Sequence, residues 1–162
     1  MRMKDLNSSE AVAARATQED PIVMYLIVRE SLGMSSGKIG AQCAHAAQML
    51  LLQYVNEQAK WQAGFDLVYG LSQEEFDSVS EETKSRWSIF YKWLNNSFRK
   101  VVLRADDKEW MQIKLQLPID NYQIVVDAGL TEIAAGSETV IGLWPMLKSE
   151  RPKLIKKLQV LK

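Results

Sequence analysis

Glycines, a lysine and a run of small residues occur together in the segment GMSSGKIGAQCAHAAQ, residues 33–48. It follows the apolar run PIVMYLIV, so a buried strand is expected to lead through a glycine-bearing turn into a helix. The unpaired backbone N–H groups at the start of a helix carry partial positive charge and favour an anion. The sequence therefore predicts that Gly37 and Lys38 lie where a phosphate or a developing oxyanion could bind.

A nucleotide-binding P-loop is one alternative for this segment. That pattern has four residues between its glycines and a serine or threonine after its lysine to hold magnesium. Here three residues separate Gly33 from Gly37, and Ile39 follows Lys38. The spacing and the missing hydroxyl disfavour magnesium-dependent nucleotide hydrolysis, although an enzyme that binds nucleotides stays open as a third interpretation.

Lys38, Gln42 and His45 are spaced to form one polar stripe on the predicted helix. Cys43 points to another side of the helix from His45, which rules out a Cys–His nucleophile from this pair and favours a core position for the cysteine. The chain has one histidine and no cluster of residues at metal-ligand spacing, so we expect no metal and no cofactor. His45 is either part of a site or a hydrogen-bonded structural histidine.

A second polar segment is VVDAGLTEIAAGSETVIG, residues 125–142. Asp127 ends an apolar strand, and α/β proteins bind their ligands beyond the carboxyl ends of their strands. Gly129 gives the following turn its freedom, and Thr131 offers a hydroxyl four residues after the aspartate. Spacing alone leaves open whether Asp127 belongs to a site or is an ordinary turn residue.

The remaining elements are predicted from periodicity and capping signals. A long helix is expected from Ser72, which has capping-box spacing to Glu75, as far as Leu94. Strands are predicted at residues 21–28, 99–105, 121–129 and 137–145, and the other helices at residues 38–60, at 106–116 and from residue 149. Alternating strands and helices indicate an α/β layer fold with crossover connections.

Composition limits the function classes. The chain has 162 residues, is 47% hydrophobic, has no net charge and contains one cysteine. These values suit one globular domain in a reducing compartment, for which the cytoplasm is the expectation. No segment is apolar enough to predict membrane insertion or a signal peptide. We expect residues 1–20 to be a flexible or helical extension and residues 21–162 to form the domain.

The two polar segments, in this order and spacing, resemble the type 2 peptidyl-tRNA hydrolase family, and the resemblance covers roughly residues 22–161. It implies a three-layer α/β/α fold with a four-stranded mixed β-sheet, commonly as a homodimer. The implied activity is hydrolysis of the ester that joins a peptide to tRNA, with peptidyl-tRNA as the partner. Carried over by position, the family's catalytic residues fall on Lys38, Asp127 and Thr131. Substrate contacts are then expected from Gly37, Gln42, His45 and Gly129.

The chain departs from the family pattern close to this expected site. Leu130, Glu132 and Ala135 stand where the family usually has arginine, glutamine and proline, and residues 58–96 are longer than usual. Losing a cation and gaining an acid should weaken the binding of a polyanion. A non-catalytic anion-binding or RNA-binding regulatory module on the same fold is therefore the alternative. A basic group near the C-terminus is either a solvated face or a tRNA contact: Lys148, Arg151, Lys153, Lys156 and Lys157.

Overall fold

The computed structural model describes residues 17–61 and 73–162. Six strands are β1 (Ile22–Arg29), β2 (Lys100–Ala105), β3 (Tyr122–Val126), β4 (Glu138–Leu143), β5 (Met146–Leu147) and β6 (Gln159–Val160). The α-helices are α1 (Ser36–Trp61), α2 (Gln73–Ser78), α3 (Glu81–Lys92), α4 (Asp107–Gln116) and α5 (Lys153–Lys156).

The sheet is mixed, and its order brings the ends of β1 and β3 to one edge. The strands lie in the order β3-β4-β1-β2-β6, and β5 pairs with the start of β1. β1 is parallel to β2 and antiparallel to β4, and β4 is antiparallel to β3. β1 and β3 therefore run in the same direction, so the segments that follow them leave the sheet at the same edge.

β1 is covered on both faces, as its unbroken apolar run predicts. Met24, Leu26 and Val28 belong to a core cluster that α1 and α3 cover, whereas Tyr25 and Ile27 belong to a second cluster beneath α4 and α5. Helices on both sides of a mixed sheet confirm the three-layer α/β/α architecture.

Small residues bring α1 close to the sheet. A Cβ atom built on Gly142 of β4 would lie 3.0 Å from Leu50 Cδ1 and 3.2 Å from Ala46 Cβ. Ala46 is fully buried, and Cys43 is a buried core residue of the same helix, as predicted. Burial raises the pKa of the Cys43 thiol to about 11, which suits an inert core residue. This close contact packs the middle of α1 directly on β4.

The α-helix predicted from Ser149 begins at Lys153, and two further features differ from the prediction. The sheet has six strands instead of four, because two short strands of two residues each, β5 and β6, join the central four. The helix predicted from Ser72 to Leu94 is divided: Ser80 starts α3 as its N-cap and accepts the Thr83 backbone N–H at 3.2 Å. Ser72 and residues 1–16 of the predicted extension lie outside the described residues. In the described ranges no helix is long and apolar enough to cross a membrane.

Candidate active site

Lys38 and Asp127 meet at the edge where β1 and β3 end. The Lys38 Nζ donates to Asp127 Oδ1 at 2.5 Å and to Thr131 Oγ1 at 3.0 Å. Side-chain exposure is 12% for Lys38 and 6% for Asp127, so this ion pair is largely shielded from water. Shielding makes the pair more sensitive to loss of a partner than an exposed pair would be.

The Asp127 carboxylate is held by donors from three directions. Besides Lys38, Gln42 Nε2 donates to Oδ1 at 2.8 Å and the Gly129 backbone N–H donates to Oδ2 at 2.8 Å. The Lys38 ammonium and the Gly129 N–H hold the pKa of Asp127 below its usual range, because both stabilise the ionised form. The site therefore contains a lysine and an ionised carboxylate in a fixed arrangement.

A buried hydrogen-bond chain orients Gln42. Thr139 Oγ1 lies 2.7 Å from Gln42 Oε1 and 3.2 Å from the Val125 carbonyl oxygen. Gln42 is 4% exposed and Thr139 is fully buried. Because Thr139 donates to the amide oxygen, the amide nitrogen of Gln42 faces Asp127. Sequence reasoning missed Thr139, although its place directly before the apolar residues of β4 was a signal.

Gly129 is required by the path of the loop between β3 and β4. Its φ is +74°, and a Cβ atom there would lie 2.4 Å from the Ala135 backbone nitrogen. Asp127 stabilises the same loop, since its backbone N–H donates to the Ser137 carbonyl and its carbonyl accepts from Gly136. The tight loop carries Thr131 back towards Lys38.

The N-terminus of α1 binds a carboxylate of the chain itself. Ser35 donates its backbone N–H to Glu132 Oε2 at 2.9 Å and its hydroxyl to Glu132 Oε1 at 2.5 Å. The Ser35 hydroxyl and N–H hold the pKa of Glu132 below its usual range. The sequence predicts that an anion is favoured near this helix start, and in the structure Glu132 lies there. No local pattern indicates its pairing with Ser35.

Gly37 and His45 lie outside this hydrogen-bonded cluster. Within the described ranges, no hydrogen bond joins either residue to Asp127, and the His45 side chain is exposed. Nothing lies within 4 Å of a Cβ atom built on Gly37, so the side of α1 on which Gly37 lies faces open space. The structure thus brings together Lys38, Gln42, Asp127, Gly129 and Thr131 and leaves the other two predicted residues beside them.

Within the basic group near the C-terminus, Lys148 lies far from Lys38 along the sheet. The Lys148 backbone N–H donates to the carbonyl of Pro21, which precedes β1, whereas Lys38 comes after β1. Arg151 lies over the ring of Tyr25, on the face opposite α1. A role of this group in tRNA binding stays a prediction.

Among the residues the structure describes, no three His, Cys, Asp or Glu side chains are grouped so that they could hold a metal ion. The groups that converge are an ammonium, a carboxylate, an amide and a hydroxyl. Together they can stabilise negative charge, orient a water molecule and donate a proton in a hydrogen bond. Such groups suit hydrolysis of an ester.

Comparison with known proteins identifies relatives with this activity in their names. Peptidyl-tRNA hydrolase 2 of Saccharomyces cerevisiae is 33% identical over 129 residues, which cover 78% of this chain and 51% of that protein. A peptidyl-tRNA hydrolase of Sulfurisphaera tokodaii is 31% identical over 129 residues, covering 75% of this chain and 84% of that protein. The chain thus spans about half the length of the Saccharomyces relative. The family described as "Peptidyl-tRNA hydrolase PTH2" matches residues 22–161, and the chain belongs to this family.

Proposed function

We propose that this chain hydrolyses the ester bond between a peptide and the ribose of tRNA, and that Lys38, Asp127 and Thr131 are its catalytic residues. The observation that carries the proposal is the shielded Lys38–Asp127 pair with Thr131 on the same ammonium. Family membership supports peptidyl-tRNA as the substrate. In the reaction, water adds to the ester carbonyl carbon, the bond to the ribose oxygen breaks, and that oxygen leaves as a hydroxyl.

Lys38 has the capacity to stabilise the oxyanion of the tetrahedral intermediate. An ammonium has three N–H donors. One donor of Lys38 is directed at Asp127 and a second at Thr131. The third can donate to the oxygen that becomes negative as water adds. Because the ion pair is shielded from water, a hydrogen bond to developing charge is strengthened there.

Asp127 is suited to orient the attacking water. Oδ1 accepts from Lys38 and Gln42, while Oδ2 accepts from Gly129 and retains a second acceptor position. A lowered pKa makes the carboxylate a weak base, so alignment of the water contributes more than proton removal before attack. Gln42 fixes the carboxylate and, being buried, acts on the substrate through Asp127.

Thr131 and the open side of α1 complete the proposed substrate contacts. The Thr131 oxygen accepts from Lys38, which leaves its O–H free to donate to the carbonyl or to the departing ribose oxygen. The space above Gly37 can admit the terminal nucleotide closely against the helix backbone. His45 is exposed further along the same helix and is proposed to contact the RNA.

We further propose that the reaction needs no metal ion. The Lys38 ammonium lies 2.5 Å from Asp127, where it supplies the positive charge that a metal would otherwise supply. A cytoplasmic location is supported by the single cysteine, and a homodimer by the family resemblance. Sedimentation of the purified protein would test the homodimer.

The decisive experiment measures release of N-acetyl-amino acid from N-acetyl-aminoacyl-tRNA with purified protein and EDTA present. We expect turnover, and we expect Asp127→Asn to abolish it while tRNA binding persists, because only the reaction needs the carboxylate. Intact tRNA folding in EDTA is the control. Loss of turnover in EDTA with recovery on adding magnesium or zinc would disprove metal independence. RNA binding without any hydrolysis would instead establish the regulatory module.

A further inference from the structure

The loop between β3 and β4 is fastened to α1 through Glu132. Both carboxylate oxygens accept from Ser35, one from its backbone N–H and one from its hydroxyl. The same hydroxyl accepts the Lys38 backbone N–H at 3.3 Å, so Ser35 also caps the helix that presents Lys38. Glu132 is thereby linked by two hydrogen bonds to the residue that precedes α1.

This link lies next to the contact that the reaction uses. Thr131 immediately precedes Glu132, and its hydroxyl accepts from the Lys38 ammonium at 3.0 Å. Ile133, which immediately follows Glu132, packs against the core. Thr131 and Glu132 are themselves exposed, so hydrogen bonds rather than burial hold this side of the loop.

We propose that Glu132 is a positioning residue: its two hydrogen bonds to Ser35 hold the loop on α1 and keep the Thr131 hydroxyl beside Lys38. The inference rests on the proposed function, because it assigns Glu132 a role in that reaction. Glu132 acts through Thr131 and does not itself contact the reacting atoms.

Replacing Glu132 by glutamine or by alanine distinguishes this positioning role from an effect of its negative charge. A glutamine at position 132 can accept the Ser35 N–H with its oxygen and donate its amide to the Ser35 hydroxyl, so both links persist without the negative charge. Alanine removes the links and the charge together. A positioning role therefore predicts that glutamine rescues the reaction and alanine does not, whereas a charge effect predicts that the two variants behave alike.

The experiment measures kcat and KM for Glu132→Ala and Glu132→Gln, each alone and combined with Thr131→Val. Glu132→Ala should lower kcat by roughly 10- to 100-fold, the scale of a misplaced catalytic group, while Glu132→Gln stays close to the wild type. In the Thr131→Val background, Glu132→Ala should lower kcat little further, because the hydroxyl through which Glu132 acts is already absent. Glu30→Ala, which removes another exposed carboxylate near the end of β1, is the matched control and should leave kcat unchanged.

Amide hydrogen exchange supplies a readout that does not depend on activity. Peptides covering residues 129–137 should exchange faster in Glu132→Ala than in the wild type or Glu132→Gln. Unchanged exchange, equal kcat losses in both Thr131 backgrounds, or equal losses with glutamine and alanine would each overturn the inference. If the wild type hydrolysed no ester, the proposed function would fall, and the exchange comparison would still decide whether Glu132 holds the loop.

Discussion

Lys38 Nζ lies 2.5 Å from Asp127 Oδ1, although the two residues are 89 positions apart in the chain. Sheet topology explains the contact, because β1 and β3 run in the same direction and end at one edge. β1 leads to the helix that carries Lys38, and Asp127 immediately follows β3. An ion pair fixed by topology and shielded from water is a suitable base for chemistry, since it needs little reorganisation during reaction.

Lys38→Ala should lower kcat by roughly 10²- to 10³-fold, the effect of removing one group that stabilises developing charge. Some stability should also be lost, because Asp127 is left without its ion-pair partner. Lys114→Ala is the matched control, since Lys114 forms a 2.7 Å ion pair with Glu138. Melting temperature and kcat should fall together only in the Lys38 variant, and an unchanged kcat there would remove Lys38 from the mechanism.

Asp127 should make stability depend on pH in acid. Its folded-state pKa is lower than the ordinary value of 3.8, with hydrogen bonds from Lys38 and Gly129 as the main causes. A lowered folded-state pKa gives a stabilisation that is complete above the unfolded-state pKa and is lost as pH falls through the folded-state pKa. The difference in unfolding free energy between the wild type and Asp127→Asn should therefore shrink below about pH 3.8. Urea titrations at several acidic pH values would measure this difference in unfolding free energy. A difference that grows in acid would contradict the lowered pKa of Asp127.

Much of the site could be predicted because strand ends and helix faces follow from local periodicity. Lys38 and Gln42 share a helix face, and both do reach Asp127. His45 shares that face too, but it lies about 10 Å further along the axis than Lys38, since a helix rises 1.5 Å per residue. A common face therefore did not bring His45 into the hydrogen-bonded cluster.

Contacts that depend on strand register and loop path could not be predicted. Val140 pairs with Val125, and this pairing sets neighbouring Thr139 beneath Gln42. No local pattern encodes that register.

The break before α3 has a local signal in Ser80, but the continuous apolar spacing across it favours one long helix.

Thr139→Val should show how far the reaction depends on the orientation of Gln42. Valine keeps the shape but leaves the Gln42 amide oxygen without its donor, which should cost about 1–3 kcal/mol of unfolding free energy. A freed amide can rotate away from Asp127, so kcat should fall as well. Thr139→Ser, which retains the hydroxyl, is the control, and the two variants should differ clearly in kcat. Equal kcat values would show that Gln42 needs no orienting partner.

Gly129→Ala and Gly136→Ala should separate backbone strain from steric clash. The two glycines have φ values of +74° and +81°, so alanine is strained at both. Only at Gly129 does the added Cβ meet the Ala135 backbone; around Gly136 there is open space. Gly129→Ala should therefore destabilise the protein by about 1–3 kcal/mol more than Gly136→Ala, the usual cost of forcing extra atoms into a packed site. Equal denaturation midpoints would show that the loop opens without cost.

Leu130→Arg should strengthen tRNA binding, because it places a cation at a position that is 87% exposed beside Thr131. A phosphate contact of this kind binds substrate and transition state about equally, so KM should fall while kcat changes little. Leu115→Arg is the matched control, since Leu115 is 78% exposed on α4, away from the Lys38 cluster. The plot of log affinity against log salt should become steeper by roughly 0.7–0.9 for Leu130→Arg if one more phosphate is neutralised. The same steepening in both variants would indicate a general effect of charge, and the RNA path would then have to lie elsewhere than beside Thr131.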